Sequence, residues 1–163
     1  MGTLNHKVIH NFLNKEFFDS LKDLLFSNKI NWFFLPHMTY NDHYFFNHCF
    51  YNLHVPQSSF YLEYIEPILI KLEAKAIIEV RANLQLKGAN QYQCNFHVDR
   101  PFKCETAILY MNTCNGYTIL DKKEKIKITS EENKILLFNS QTEHAAVSQT
   151  DVDRRIVINF NYF

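Results

Sequence analysis

Hydrophobic residues recur with two different periods along this chain, helical at first and alternating later. An amphipathic helix is predicted over residues 14–28, with Asn14 as its N-cap. Its apolar face is formed by Phe17, Leu21, Leu24 and Leu25. A second helical region is predicted over 59–74, where the internal Pro67 indicates either two short helices or one kinked helix.

From residue 76 onward, apolar residues occupy every second position, which is typical of strands. In the first strand, over 76–86, one face carries Ile78, Val80, Ala82, Leu84 and Leu86, and the other carries Glu79, Arg81, Asn83 and Gln85. Further strands are predicted at 104–112, 116–120, 125–129, 134–139, 144–148 and 154–163. Helices followed by a run of strands indicate an α+β fold, with the helices packed on one face of a mainly antiparallel sheet or barrel.

The last predicted strand has one apolar and one mixed face. Ile156, Ile158, Phe160 and Tyr162 share the apolar face, which the helices can cover. The mixed face carries Arg155, Val157, Asn159 and Asn161. A partly polar interior is costly unless it holds water or a ligand, so the mixed face indicates a binding cavity.

Length and composition narrow the function. The 163 residues suit one domain, and 47% of them are hydrophobic, enough for a full core. The 17 basic and 17 acidic residues balance, which argues against a nucleic-acid partner. Only three glycines are present, so no glycine-rich phosphate-binding loop can form. Four cysteines without a C-x-x-C pair are expected to be reduced thiols, which together with the lack of a signal peptide or membrane span predicts a cytoplasmic protein.

The stretch NFHVDRPF contains the first candidate site. On a strand, His97 and Asp99 would present an imidazole and a carboxylate side by side, with Val98 facing the opposite layer. His144 is the only other histidine in the strand region. Two histidines and one carboxylate on one face of a metal form the ligand set of non-haem Fe(II) enzymes, which leaves positions open for substrates. Alone, an H-x-D triplet is also compatible with an ordinary surface pair.

An arginine on the mixed face of the last strand adds to this pattern. Arg155 follows His144 by about ten residues and would point into the cavity. A buried guanidinium keeps its charge and needs a partner, and its planar fork suits a carboxylate. A dicarboxylate cosubstrate would supply that carboxylate.

In its order of H-x-D, distal H and then R, carried by His97, Asp99, His144 and Arg155, the chain resembles the Fe(II)/2-oxoglutarate-dependent oxygenases. The likeness runs from about residue 80 to the C-terminus and is nearest to short, single-domain forms of the prolyl-hydroxylase-like branch. It implies a double-stranded β-helix (a jelly-roll, cupin-like core) buttressed by N-terminal helices. Residues 1–163 would form one domain, with 1–75 mainly helical and 76–163 forming the β-helix.

The resemblance also implies roles for individual residues. His97, Asp99 and His144 correspond to the iron ligands, and Arg155 to the residue that pairs with the distal carboxylate of 2-oxoglutarate. Tyr110 aligns with a tyrosine that touches the same carboxylate. Thr106 and Asn83 share the cavity-facing side of their strands and are further candidates for the cofactor pocket. Fe(II), 2-oxoglutarate and O2 would then be needed, with release of succinate and CO2. A tyrosine common in this branch about ten residues before H-x-D is missing, because LKGANQ stands there.

The substrate is open at this stage. Peptidyl proline is the best single guess, and a free amino acid, another small metabolite or a nucleobase are alternatives. The aromatic segment Tyr40–Gln57, with His43, His48 and His54, would either cover the substrate or fill core and surface beside the helices, and the second is favoured.

Two other classes of function compete with the oxygenase. A non-catalytic cupin-like module that binds a metal or small acid would not need Arg155 with Tyr110. A zinc hydrolase with the same three ligands would need a general-base glutamate, and the chain has no H-E-x-x-H helix.

Overall fold

The computed structural model describes residues 6–36 and 43–163. Its elements in chain order are β1 (His6–Ile9), α1 (Lys15–Phe26), β2 (Phe33–Leu35), β3 (Phe45–Asn52), β4 (Val55–Pro56), a π-helical turn (Tyr61–Ile65), α2 (Glu66–Lys71), β5 (Ile77–Leu86), β6 (Glu105–Tyr110), β7 (Cys114–Leu120), β8 (Ile126–Ser130), β9 (Lys134–Asn139), β10 (His144–Val147) and β11 (Arg154–Tyr162). The strands predicted from residue 76 onward are confirmed, with bounds shifted by one or two residues.

Two antiparallel sheets form the body of the molecule. The major sheet has the order β1-β9-β6-β11-β5-β3-β2, with β4 paired to β3, and the minor sheet has the order β10-β7-β8. Apolar residues of β6, β9 and β11 pack against Leu120 and Ile128 of the minor sheet. The opposite face of the major sheet packs against α1 and α2 in the larger core. The α+β fold with a double-stranded β-helix and supporting helices is confirmed.

Helix α1 forms where its sequence pattern predicts it. The Asn14 side chain accepts a hydrogen bond from the Phe17 amide at 2.9 Å, which satisfies one of the free donors of the first turn. Leu21 and Leu25 are fully buried against the major sheet. The second helical region is two short pieces, the π-helical turn and α2, with Pro67 in the first turn of α2, where a proline costs no hydrogen bond.

Strand β11 separates the two layers as its alternation predicts. Ile156, Ile158 and Phe160 are fully buried in the core that contains the helices, and each contributes roughly 1.5–3 kcal/mol through burial. Asn159 and Asn161 face the minor sheet instead. Since β11 pairs with β5 on one side and β6 on the other, it is held rigidly at the centre of the major sheet.

The described part of residues 1–75, which was expected to be mainly helical, contains strands as well as α1, the π-helical turn and α2. Strands β1 to β4 lie there, and β3 is an eight-residue strand that pairs with β5. The alternation of β3 is concealed because both of its faces carry aromatic and polar residues. On the core side, His48 stacks edge-on against Phe50 at 4.6 Å. Within the described residues, no helix is long and apolar enough to span a membrane.

A candidate metal and cosubstrate site

Three side chains from two chain segments meet between the sheets. One ligand atom from each of His97, Asp99 and His144 lies within 4.8 Å of the others. The Asp99 Oδ1 atom is 3.4 Å from His144 Nε2 and 3.9 Å from His97 Nε2. His144 begins β10, and a pair of backbone hydrogen bonds, at 3.0 and 2.9 Å, ties His97 to it. The three residues predicted as a ligand set therefore lie together.

The local backbone differs from the strand expected around His97. Residues 87–104 form a loop, and His97 joins His144 through an isolated bridge. Val98 is 41% exposed instead of facing an opposite layer. His97 and Asp99 nevertheless point to the same place, because the bridge holds this part of the loop extended.

The tautomers of both histidines follow from their backbone contacts. The Nδ1 atom of His97 lies 3.1 Å from the carbonyl oxygen of Asn95, and that of His144 lies 3.0 Å from the carbonyl oxygen of Thr142. A carbonyl oxygen only accepts, so Nδ1 carries the proton and donates it in each ring. In the neutral rings both Nε2 lone pairs are then free for a metal ion. Burial lowers the pKa of His97, as does the nearby charge of His144, which favours the neutral form.

The other oxygen of Asp99 is held by the protein. Its Oδ2 atom accepts hydrogen bonds from Thr106 Oγ1 at 3.2 Å and from Asn161 Nδ2 at 3.0 Å. Burial alone would raise the pKa of Asp99, but the adjacent His144 ring and the hydrogen bond from Asn161 hold that pKa below its usual range. Asp99 is therefore ionised at neutral pH, with Oδ2 occupied and Oδ1 directed at the histidines.

A cavity of about 90 Å³ extends from the two histidines. It is several times larger than the roughly 10–15 Å³ that one water molecule needs. The cavity is lined by Phe45, Arg81, Asn83, Gln85, Cys94, His97, Ile108, Thr118, His144, Ala146, Arg155, Val157 and Asn159. Asn83, Gln85 and Asn159 come from the polar strand faces noted in the sequence, whereas Thr118 was not singled out there.

Arg155 lies in this cavity and is only 3% exposed. It donates to Ser130 Oγ at 3.3 Å and to Gln85 Oε1 at 3.0 Å, both neutral acceptors. Burial lowers its pKa, but an arginine keeps its charge in a protein. Among residues 6–36 and 43–163 no carboxylate forms an ion pair with Arg155. A buried cation without an anion is expensive, so this end of the cavity suits an anionic ligand.

Gly116 allows Arg155 to occupy this position. A β-carbon at Gly116 would lie 2.8 Å from Arg155 Cδ and 3.0 Å from the Val147 carbonyl oxygen. Real β-carbons do not approach a neighbour this closely, so the site needs glycine on β7 for its close packing, and the arginine fills the space left by the missing side chain.

Two residues predicted to line the cofactor pocket, Tyr110 and Thr106, lie outside the cavity lining. Tyr110 is fully buried, does not line the cavity, and donates its hydroxyl hydrogen bond to Thr118 Oγ1 at 2.8 Å. Burial raises its pKa to about 12. Thr118 lines the cavity in its place. Thr106 also lies outside the lining, because its hydroxyl is directed at Asp99. Both residues lie on the predicted face of β6, but neither side chain reaches the wall of the cavity.

Arg100, next to the H-x-D triplet, is bound to the protein. Its guanidinium donates to Glu79 Oε2 at 2.5 Å and to Asn161 Oδ1 at 3.3 Å. The Asn161 amide is thereby oriented, since its oxygen accepts from Arg100 while its nitrogen donates to Asp99. Asn161 was missed by sequence reasoning, although its place on the mixed face of β11 was the available signal.

The candidate substrate segment Tyr40–Gln57 is only partly inside the described residues, because 40–42 lie outside them. In the remainder, Phe45 lines the cavity. His43 stacks on Tyr92, His48 is buried on the core side of β3, and His54 is exposed. Most of this part is thus core and surface, as favoured from the sequence.

Comparison with known proteins gives no family model and no curated protein that matches the sequence. Solved structures match over almost the whole chain. A Pseudomonas putida prolyl-4-hydroxylase has 14% identity and a TM-score of 0.66, with 98% of this chain and 93% of that chain covered. The viral collagen prolyl hydroxylase of Paramecium Bursaria Chlorella virus-1, solved with 2-oxoglutarate, has 15% identity and a TM-score of 0.61, with 96% and 94% covered.

A third similar structure is HygX from Streptomyces hygroscopicus, solved with nickel, 2-oxoglutarate and hygromycin B. It has 10% identity and a TM-score of 0.65, with 98% of this chain and 83% of that chain covered. At these identities the likeness establishes a shared fold. The chain has the double-stranded β-helix fold of the 2-oxoglutarate/Fe(II) oxygenases, including their prolyl-hydroxylase members.

Proposed function

We propose that this protein is an Fe(II)- and 2-oxoglutarate-dependent dioxygenase. One observation carries the proposal: a buried arginine without a carboxylate partner among the described residues shares a small cavity with a His-Asp-His cluster. A plain metal-binding barrel has no need of the arginine, and an anion-binding barrel has no need of the cluster. Together they suit a cosubstrate that is both a metal chelator and a dicarboxylate.

The donor set fits iron(II). His97 and His144 would offer Nε2, and Asp99 would offer Oδ1, from one side of the ion. When bound, iron supplies the activation of dioxygen that oxidises a substrate C–H bond while 2-oxoglutarate is converted to succinate and CO2.

The chain's own residues would position the reactants. Arg155 would bind the distal carboxylate of 2-oxoglutarate, held in place by Ser130 and Gln85. The Thr118 hydroxyl, oriented by Tyr110, is a second polar group on that wall. Ile108 and Val157 give the cavity an apolar wall that excludes water from the reacting groups.

For the substrate, we propose a prolyl residue in a peptide. The support is the fold shared with the Pseudomonas putida and viral prolyl hydroxylases over nearly their whole lengths. HygX, solved with hygromycin B, has a similar fold. The test therefore also includes small molecules as candidate substrates.

The test measures succinate formed from 2-oxoglutarate by purified protein with Fe(II), alone and with panels of proline peptides, amino acids, small metabolites and nucleobases. We expect basal succinate formation that a proline peptide accelerates. His144→Ala should abolish both rates, because one ligand of three is lost. His10→Ala is the matched control and should leave both rates unchanged, because His10 is an exposed histidine just after β1 that contacts Glu131.

The outcomes separate the two levels of the proposal. Acceleration by a small molecule and by no peptide would contradict the prolyl substrate and leave the dioxygenase standing. Succinate formation that persists in His144→Ala, or that is absent from the wild type with every compound, would contradict the dioxygenase itself.

A further inference from the structure

A second arginine lines the cavity at the end opposite Arg155. Arg155 is paired with Gln85 across β11 and β5, whereas Arg81 is paired with Asn159, four residues further along. At about 3.3 Å per residue, the two arginines emerge roughly 13 Å apart along the sheet. Asp99 is bonded to Asn161, whose partner on β5 is Glu79. The ligand cluster therefore lies over the Arg81 end of the sheet.

Arg81 is weakly paired. Its closest ion-pair contact, to Glu79 Oε1, is 3.8 Å long, and the Arg81 side chain is 36% exposed. The other oxygen of Glu79 is taken by Arg100 at 2.5 Å. A partly exposed ion pair with so long a contact contributes little to stability. No hydrogen bond joins the Arg81 guanidinium to another residue of the described chain, so its planar set of donors is available at the cavity wall.

The charges around the cavity would be balanced by one more anion. No carboxylate lines the cavity among the residues described. With iron(II) and the 2-oxoglutarate dianion bound, the metal and the two arginines would carry four positive charges, and Asp99 and the dianion three negative ones. One positive charge is then uncompensated, since the charge of Glu79 is balanced by Arg100. Arg155 would be occupied by the cosubstrate, so the uncompensated charge belongs to Arg81. In a partly buried cavity such a charge favours an anionic partner.

We propose that Arg81 binds a carboxylate of the primary substrate. The substrate is then a compound that carries a carboxylate close to the carbon that is oxidised. The carboxylate comes either from a free α-carboxyl group or from an acidic side chain next to the reacting residue. This inference rests on the proposed dioxygenase function and narrows its substrate.

The test uses pairs of compounds that differ only in a carboxylate. One pair is acetyl-Gly-Pro-Glu-amide against acetyl-Gly-Pro-Gln-amide, and the other is L-proline against L-prolinamide. Succinate release above the basal rate is measured with wild-type protein saturated with Fe(II) and 2-oxoglutarate. We expect the acid of one pair to have a KM about 10- to 100-fold lower than its amide, the range for hydrogen bonds to charged groups. The pair that responds identifies the source of the carboxylate.

Three variants assign the effect to the side chain. Arg81→Gln should abolish the preference for the acid by raising the KM of the acid while leaving the KM of the amide unchanged. Arg81→Lys should restore part of the preference, since it keeps the charge but loses the planar fork. Arg154→Gln, which removes an arginine stacked on Phe26 on the opposite face of β11, should keep the full preference.

Equal KM values within both pairs, no acceleration by either acid, or an undiminished preference in Arg81→Gln would each overturn the proposal. Basal succinate formation that depends on His144 is measured in the same experiment. It tests the dioxygenase independently, so a failure of the Arg81 proposal can be distinguished from a failure of the proposed function.

Discussion

Replacing Asn161 by alanine should weaken metal binding although Asn161 is not one of the three candidate ligands. The Asn161 amide donates to Asp99 Oδ2 at 3.0 Å and to Thr106 Oγ1 at 2.9 Å, and accepts from Arg100 Nε at 3.3 Å. In Asn161→Ala, Asp99 keeps only the longer bond from Thr106, at 3.2 Å. The Asp99 carboxylate is then free to rotate away from the orientation that directs Oδ1 at the histidines.

The size of the effect follows from the type of bond that is lost. A hydrogen bond to a charged group contributes about 1.5–3 kcal/mol. Groups that hold a metal ligand in place typically change metal affinity by roughly 10- to 100-fold when they are mutated. We therefore expect the dissociation constant for Mn(II), a redox-stable substitute for Fe(II), to rise by about 10- to 100-fold in Asn161→Ala.

Mn(II) can be titrated into metal-free protein and the free ion counted by electron paramagnetic resonance. Asn159→Ala is the matched control, because Asn159 lies two residues earlier on the same face of β11 and makes no hydrogen bond to Asp99. Its Mn(II) affinity should equal that of the wild type. Equal affinities for Asn161→Ala and wild type, or equal losses in both asparagine variants, would refute the reasoning about Asp99.

Two further predictions concern the cosubstrate end and the core. Gly116→Ala would place a β-carbon 2.8 Å from Arg155 Cδ and 3.0 Å from the Val147 carbonyl oxygen. We therefore expect a higher KM for 2-oxoglutarate with unchanged Mn(II) affinity. An unchanged KM would contradict the close packing. Leu25→Ala, at a fully buried position of α1, should lower the free energy of unfolding measured in urea by about 2–5 kcal/mol. Leu62 is 66% exposed, so Leu62→Ala should change that free energy little. Similar losses in both variants would contradict the assigned core.

The sequence predicted the faces of the strands well because a period of two is a local property. The mixed face of β11 was identified as cavity-facing from its alternation, and in the structure Arg155, Val157 and Asn159 line the cavity. The same alternation could not show which residues of one strand face reach the cavity. Thr106 and Tyr110 share one face of β6, yet one bonds to Asp99 and the other is covered by Thr118.

Contacts between segments far apart in the sequence were beyond local reasoning. Arg100 directly follows the H-x-D triplet, and its bond to Glu79 depends on how the loop folds back on β5. The strand β3 was missed because FFNHCFYN carries aromatic and polar residues on both faces, so no single period stands out. In both cases the deciding partner is 20 or more residues away and is set by tertiary packing.

One strand determines the spacing between the two ends of the cavity. Arg155, which would hold the cosubstrate, and Asn161, which holds Asp99, are six residues apart on the same face of β11. Strand geometry separates their backbones by about 20 Å. Because β11 is hydrogen-bonded to β5 and β6 along most of its length, this separation cannot change without breaking the centre of the major sheet. Arg81 and Phe45 line the same cavity from the neighbouring strands β5 and β3, nearer the edge of the sheet. We therefore expect substitutions at those two positions to alter substrate binding without changing the separation of Arg155 and Asn161.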